Sequence, residues 1–128
     1  MVVDFVCAGI SSTSFYTYMK AAWGGTPIAS LVATPAAFDT FLRTSNPDVR
    51  YADHDAQGYA SATVTPESFS VVFNKVRRLN ADGTAPADVL LDRIRLTVFT
   101  DMVDVRVEAV VQASGRINLT GDEARSSP

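Results

Sequence analysis

The residues best suited to chemistry lie in a short acidic turn around the single histidine of this 128-residue chain. His54 stands between Asp53 and Asp55. Imidazole and carboxylate groups bind metals and carry protons, but a metal site usually needs three or four such ligands. Neighbouring residues on an extended chain point to opposite sides, so this triplet can supply only one or two of them. The two interpretations are a solvated turn between strands, or side chains that contact a substrate or support the groups that do.

A second candidate region is a loop of small and hydroxyl-bearing residues, 8–14, which contains Ser11 and Ser12. It follows an apolar run, residues 2–7, whose composition predicts a buried strand. Ligands often bind at the carboxyl ends of strands in open α/β sheets, although a plain connector has the same composition. A serine hydrolase is disfavoured, because the sequence has no Gly-x-Ser-x-Gly motif and His54 would be the only base.

The overall composition indicates one compact domain or a large part of one. The sequence is 47% hydrophobic and 20% charged, with a net charge of -3. Lys75, Arg77 and Arg78 form only a short basic cluster, so nucleic acid is not an expected partner. Cys7 is the only cysteine, which excludes an intrachain disulfide, and its apolar neighbours predict a small buried hydrophobic residue.

Two short helices are predicted before the middle of the chain. Residues 15–22 place Phe15, Tyr18, Met19 and Ala22 on one helical face. The second helix has clearer boundaries, because Thr34 can cap it, proline suits its first position, and Asn46-Pro47 ends it.

The remaining sequence is dominated by short segments with the alternation of half-buried antiparallel strands. The predicted strands are residues 49–52, 59–65, 69–76, 90–99 and 103–111. A turn at residues 100–102 joins the last two of them. The predicted fold class is therefore α+β, mainly antiparallel β with one or two short helices.

Two segments, taken in order, resemble the C-terminal part of the alkaline phosphatase D family. Residues 3–12, Val-Asp-Phe-Val-Cys-Ala-Gly-Ile-Ser-Ser, are similar to the strand and serine loop that follow the family's last metal-binding motif. Residues 46–53, Asn-Pro-Asp-Val-Arg-Tyr-Ala-Asp, with Gly58-Tyr59 and the Val-Thr-Pro-Glu of residues 64–67, are similar to its Asn-Pro segment, Gly-Tyr strand and Thr-Pro turn. The likeness ends near Val76, and Asp48 stands where the family often has histidine.

The resemblance implies a metallophosphatase β-sandwich of two packed sheets and the hydrolysis of phosphomonoesters or phosphodiesters. Some family members resemble phospholipase D in cleaving phospholipid head groups, and members are typically exported by bacteria. Paired divalent or trivalent ions, such as Ca, Fe, Zn or Mn, would activate a water molecule. The family's metal-binding motifs lie upstream of residues 3–12, so no metal ligand is assigned in this chain. Cys7 is not equated with the family's cysteine ligand, which belongs near the N-terminal end.

The resulting hypothesis is a C-terminal fragment of a secreted phosphoesterase, catalytically inactive alone, whose chain opens in mid-strand. Residues 1–79 would belong to the phosphoesterase domain, 80–119 to a β appendage that covers the site or meets lipid, and 120–128 to a disordered tail. Its partners would be the N-terminal part of the same protein and a phosphoester or phospholipid substrate. The residues expected at the active-site rim, in contact with substrate or supporting those that are, are Ser11, Ser12, Asp53, His54 and Asp55.

Two alternatives come from other classes of protein. The first is a non-catalytic β-rich binding module, which a concave groove lined by Tyr16, Tyr18 and Trp23 would favour. The second is a small enzyme that relies on His54 alone.

Overall fold

The structure, a computed structural model, describes residues 3–110 and contains two short helices and one antiparallel sheet in that range. This confirms the predicted α+β class. The elements, in chain order, are α1 (Phe15–Trp23), a 3-10 turn (Ala29–Val32), α2 (Pro35–Ser45), β1 (Gln57–Val64), β2 (Ser68–Val76), β3 (Leu90–Phe99) and β4 (Val105–Ala109). The predicted tail at 120–128 lies outside the described residues.

Both helices begin at hydroxyl caps. The Ser14 side chain accepts a hydrogen bond from the Thr17 amide at 3.2 Å, and the Thr34 side chain accepts one from the Ala37 amide at 3.1 Å. Each cap satisfies an amide that has no partner inside the helix. The predicted start and end of α2 are confirmed, with proline at its first position and Asn46 as its C-terminal cap.

The helices enclose a small core of their own around Phe38, which is 1% exposed. Val32 from the 3-10 turn and Tyr16 from α1 are also buried there, and the Trp23 ring meets Phe38 edge-on at 6.2 Å. The Tyr16 hydroxyl donates a hydrogen bond to the Val32 carbonyl at 3.1 Å, which satisfies its one polar group inside the core.

The helical face shared by Phe15, Tyr18, Met19 and Ala22 is only partly buried. Met19 packs against the helical core, but Phe15 and Tyr18 are 51% and 63% exposed, and Ala22 is exposed as well. Tyr16 takes the central position instead. The Val32 carbonyl explains this difference, because without such a partner a buried tyrosine hydroxyl would destabilise the core.

The four strands form an antiparallel meander in the order β1-β2-β3-β4. Residues directly opposite each other share a face, and the register therefore sorts the side chains into two sets. One face, called here the apolar face, carries Ala60, Ala62, Val64, Phe69, Val71, Phe73, Ile94, Leu96, Val98, Val105, Val107 and Ala109. The opposite face carries mainly Ser, Thr, Asn, Arg and Glu. Residues 90–109, placed by prediction in an appendage, thus continue the same sheet as β1 and β2.

The apolar face is covered in part by residues outside the sheet. Phe5 lies 5.5 Å from Phe69, and the Tyr51 ring stacks on Phe73 at 6.2 Å, measured between ring centroids. Val64 nevertheless remains 72% exposed and Val107 40% exposed. This face of the sheet therefore has less cover than its composition calls for.

The predicted strands at 2–7 and 49–52 are wrong for the residues that the structure describes. Residues 3–7 and 49–52 join no ladder. They contact the face of the sheet through Phe5 and Tyr51. A segment can join the sheet as a strand only at its edge, where free backbone groups are present. Cys7 is exposed, so the prediction that it is a buried hydrophobic residue is also wrong.

Candidate functional site

The acidic turn at residues 53–55 joins the helices to the sheet. Its three side chains contact three different residues: Asp53 and Asp55 face β2 and the chain that follows it, and His54 faces α2. The pairs and their closest distances are Asp53–Lys75 at 2.7 Å, His54–Asp39 at 2.6 Å and Asp55–Arg78 at 2.6 Å.

Lys75 on β2 contacts this turn and is more enclosed than either of the turn's carboxylates, with a side chain 14% exposed. Its ammonium group contacts Asp53 at 2.7 Å and Asp92 of β3 at 3.5 Å. Burial is the largest single influence and would lower the pKa of Lys75, but the hydrogen bond and charge of Asp53, together with the neighbouring Tyr51, outweigh it and raise that pKa above its usual range. Lys75 therefore remains a cation that fixes the turn against the sheet.

Tyr51 lies beside this ion pair. The Lys75 ammonium is 5.5 Å from the centre of the Tyr51 ring, a distance suited to a cation–π contact. The Tyr51 hydroxyl is enclosed and has no partner in hydrogen-bond geometry among the described residues. Burial raises the pKa of Tyr51, so the phenol stays neutral next to the carboxylates.

His54 is held from three directions. One Asp39 carboxylate oxygen accepts from the His54 backbone amide at 3.0 Å and lies 2.6 Å from ring atom Nδ1. The His54 carbonyl accepts from the Tyr16 amide at 3.1 Å, and the ring packs 5.6 Å from Phe38. Because Asp39 occupies Nδ1, Nε2 is the ring nitrogen left for proton transfer or a ligand.

Asp55 links the cap of α1 to the end of β2. Its Oδ1 accepts from the Ser14 hydroxyl at 2.7 Å and from Arg78 at 2.6 Å. Ser14 is 6% exposed and also caps α1. This network positions α1 relative to the sheet. The Asp55 carboxylate is bound by side chains of the same protein.

A groove of about 850 Å³ runs between the N-terminal segment and the apolar face. Its walls combine apolar side chains, such as Phe5, Phe73 and Leu96, with polar ones. Of the five residues predicted at a site, the structure brings Ser12, Asp53 and His54 together on this groove. Ser11 and Asp55 are outside its lining. The side-chain amide of Gln57 donates to the Ser12 carbonyl and ties the serine loop to the start of β1.

The available ligands do not form a metal site in residues 3–110, where no three His, Cys, Asp or Glu side chains lie close enough together to hold an ion. The contacts of the acidic turn explain this, because its three side chains each face a separate partner. In the same range, no helix has the length and apolar character needed to cross a membrane.

The sequence interpretation missed the partners of the turn. Asp39 had a recognisable signal, since it is an acid directly after Phe38 in the apolar stripe of α2. Its side chain is 16% exposed in the structure. Lys75 and Arg78 were noted only as part of a basic cluster. The spacing of Lys75 and Arg78 does not indicate that they pair with Asp53 and Asp55. That pairing depends on how β2 passes the turn in the folded chain.

The aromatic groove that would favour a binding module is not formed by α1. Tyr16 is buried in the helical core and Trp23 packs on Phe38 and Phe41, while Tyr18 is 63% exposed. The three side chains therefore do not line a common surface.

Comparison of the chain with protein-family models, with curated proteins and with solved structures found no match.

Proposed function

We propose that this chain is part of an exported, metal-dependent phosphoesterase resembling alkaline phosphatase D, in which it completes the fold and one rim of the active site. The observation that carries the proposal is that the two resembling segments, far apart in sequence, lie along one groove. Ser12 from the first segment and Asp53 from the second both line it.

Residues within and next to these segments hold them together. The Ser14 hydroxyl, at the end of the serine loop, donates to Asp55 at 2.7 Å, and Gln57 binds the Ser12 carbonyl. Phe5 reaches across to Phe69 in the strand after the Thr-Pro turn. A serine loop fixed in this way beside an acidic turn is suited to contacting a substrate rather than to serving as a plain connector.

The exposure of the apolar face independently supports the interpretation that this sheet is one layer of an incomplete β-sandwich. Val64 and Val107 are 72% and 40% exposed, although they share the face with buried Val71 and Leu96. Sheets of this kind bury such a face against a second layer. In the proposal, the N-terminal part of the enzyme supplies that layer together with the metal ions, chosen from Ca, Fe, Zn and Mn.

The role assigned to this chain is positioning. Asp53 is paired with Lys75, and Nδ1 of His54 is paired with Asp39. Ser12 and Nε2 of His54 line the groove and are the groups assigned to hydrogen-bond a phosphoester or a phospholipid head group. Ser11, which is exposed next to Ser12, and Asp55, which orients the loop through Ser14, support them.

The proposal is tested by hydrolysis. The native protein, captured from its source with an antibody against this chain, is expected to hydrolyse bis(p-nitrophenyl) phosphate or p-nitrophenyl phosphate. Chelation should abolish the activity and added metal should restore it. A captured protein that cleaves neither compound in the presence of any of the four metals contradicts the proposal.

A matched pair of variants tests the rim. Ser12→Ala, introduced into the active protein, is expected to raise KM about two- to tenfold with little change in kcat, because one hydrogen bond to bound substrate is lost. Ser30→Ala, at an exposed serine in the 3-10 turn, should change neither constant. Equal kinetics for the two variants would remove Ser12 from the rim.

A non-catalytic binding module is the second candidate. The internal pairing of all three acidic-turn side chains favours it, since it leaves them fewer roles in chemistry. An enzyme using His54 alone is favoured only by the Asp39 contact at Nδ1, which resembles the orienting contact of a catalytic base. His54→Ala separates these two, because only an enzyme that relies on His54 would lose metal-independent activity.

A further inference from the structure

Strand β1 forms an edge of the sheet with none of the features that usually prevent pairing. It is eight residues long, Gln57–Val64, and contains no charged residue and no proline. Residues 59–64 are exposed. Edge strands are normally protected by charge, proline, a bulge or shortness, because their free amides and carbonyls can bind another strand.

The opposite edge of the sheet has two of those protections. Strand β4 is only five residues long, and it carries Arg106 and Glu108 on its polar face. These two side chains form an ion pair at 2.8 Å. The two edges thus differ in the way expected if one of them is used for binding.

The turn after β1 shows which of its residues bond to β2 and which have backbone groups that face outwards. The Thr65 amide donates to the Ser68 carbonyl at 2.8 Å, so residues 65 and 68 form a hydrogen-bonded pair. In an antiparallel ladder such pairs alternate, and residues 63, 61, 59 and 57 therefore bond inwards to β2. The backbone groups of Gly58, Ala60, Ala62 and Val64 face outwards.

We propose that a second copy of this chain pairs with β1 in antiparallel orientation, with the two-fold axis at Ser61. In this register Gly58 faces Val64 and Ala60 faces Ala62, so all four outward residues meet outward residues of the other copy. Each such pair closes two backbone hydrogen bonds. The product is a continuous sheet containing both copies of β1.

The side chains are compatible with this register on both faces. On the polar face Tyr59 would lie opposite Thr63, an aromatic and β-branched pair that favours strand association, and Ser61 would lie opposite itself. On the apolar face the contacts join Ala60 to Ala62, which are small enough to avoid collision. The strand is therefore complementary to itself, which favours a second copy over an unrelated strand.

Charge variants at the axis provide the test. The wild-type chain is expected to sediment as a dimer, twice the 13.7 kDa of one chain, at micromolar concentration. Ser61→Lys and Ser61→Glu each bring like charges together across the axis and should weaken dimerisation at least about tenfold. An equimolar mixture of the two variants should recover the dimer, because opposite charges then meet.

Ser30→Lys controls for added charge and should leave the dimer intact, and circular dichroism checks that every variant folds. A wild-type chain that remains monomeric at about 100 µM, or Ser61 variants that dimerise as well as wild type, would overturn the proposal. It does not rest on the phosphoesterase role, since hydrolysis and dimerisation are measured separately.

Discussion

Lys75 shows at the scale of one residue how the acidic turn is anchored. Its side chain is 14% exposed and that of Asp53 is 25% exposed, so their ion pair lies between the surface and buried regimes. We expect Lys75→Gln to lower the free energy of unfolding by about 1–3 kcal/mol, because Asp53 loses its enclosed partner. Urea denaturation measures the change.

The matched control for Lys75 is Arg77→Gln on the same stretch of chain. Arg77 pairs with Asp88 at 3.7 Å, and both side chains are largely exposed. The expected loss is below about 0.5 kcal/mol. Equal losses for the two variants would show that the enclosed pair has no special role.

The same pair predicts a loss of stability in alkali. Because the folded pKa of Lys75 is raised above its usual 10.5, the unfolded chain releases this proton first as the pH rises. Stability is then fully present below about pH 10 and falls above it. Tyr51, whose pKa is also raised, contributes a fall in the same direction. The urea midpoint of Lys75→Gln should fall less steeply between pH 9.5 and 11.5 than that of wild type.

At this scale the sequence identified the turn residues as candidates, but not the residues that they contact. Alternation indicated that Asp53, His54 and Asp55 could not all face one ion without a tight turn, and in the structure each of them contacts a different residue. The partners depend on the tertiary path of α2 and β2. No local spacing encodes that path.

At the scale of the elements, the Asp39–His54 contact joins α2 to the turn. Asp39→Ala would leave both the His54 amide and Nδ1 without their acceptor in a half-buried place. The expected cost is about 1–3 kcal/mol in the free energy of unfolding, measured by urea denaturation.

Asp48→Ala is the corresponding control, since Asp48 is an exposed acid in the loop after α2. Its substitution should change stability by less than about 0.5 kcal/mol. If Asp39→Ala lowers the free energy of unfolding no more than Asp48→Ala does, the Asp39–His54 contact does not stabilise the turn.

Helix boundaries and the four paired strands were predictable because their signals are local. Thr34, Pro35 and Asn46 mark α2 directly, and alternation marks β1 to β4. Residues 3–7 and 49–52 have the same apolar character but form no strand. A strand forms only where another strand provides hydrogen-bond partners for its backbone. Amino-acid composition does not indicate whether such a neighbour is present.

At the scale of the whole molecule, two unsatisfied surfaces stand out. Within residues 3–110, the apolar face of the sheet is only partly covered, and strand β1 is an unprotected edge. The proposals assign them different occupants, namely a second layer from the same enzyme for the face and a second copy of the chain for the edge. The two can be satisfied together, because a face and an edge are different surfaces of one sheet.

The most direct test of the central claim is the intact mass of the native protein that carries this chain. The account predicts a polypeptide, or a tight companion, much larger than 13.7 kDa, with Asp, Asn and His motifs that bind metal. That species should also be the one that hydrolyses bis(p-nitrophenyl) phosphate. A folded chain of 13.7 kDa, isolated without a companion and without phosphoesterase activity, would contradict it.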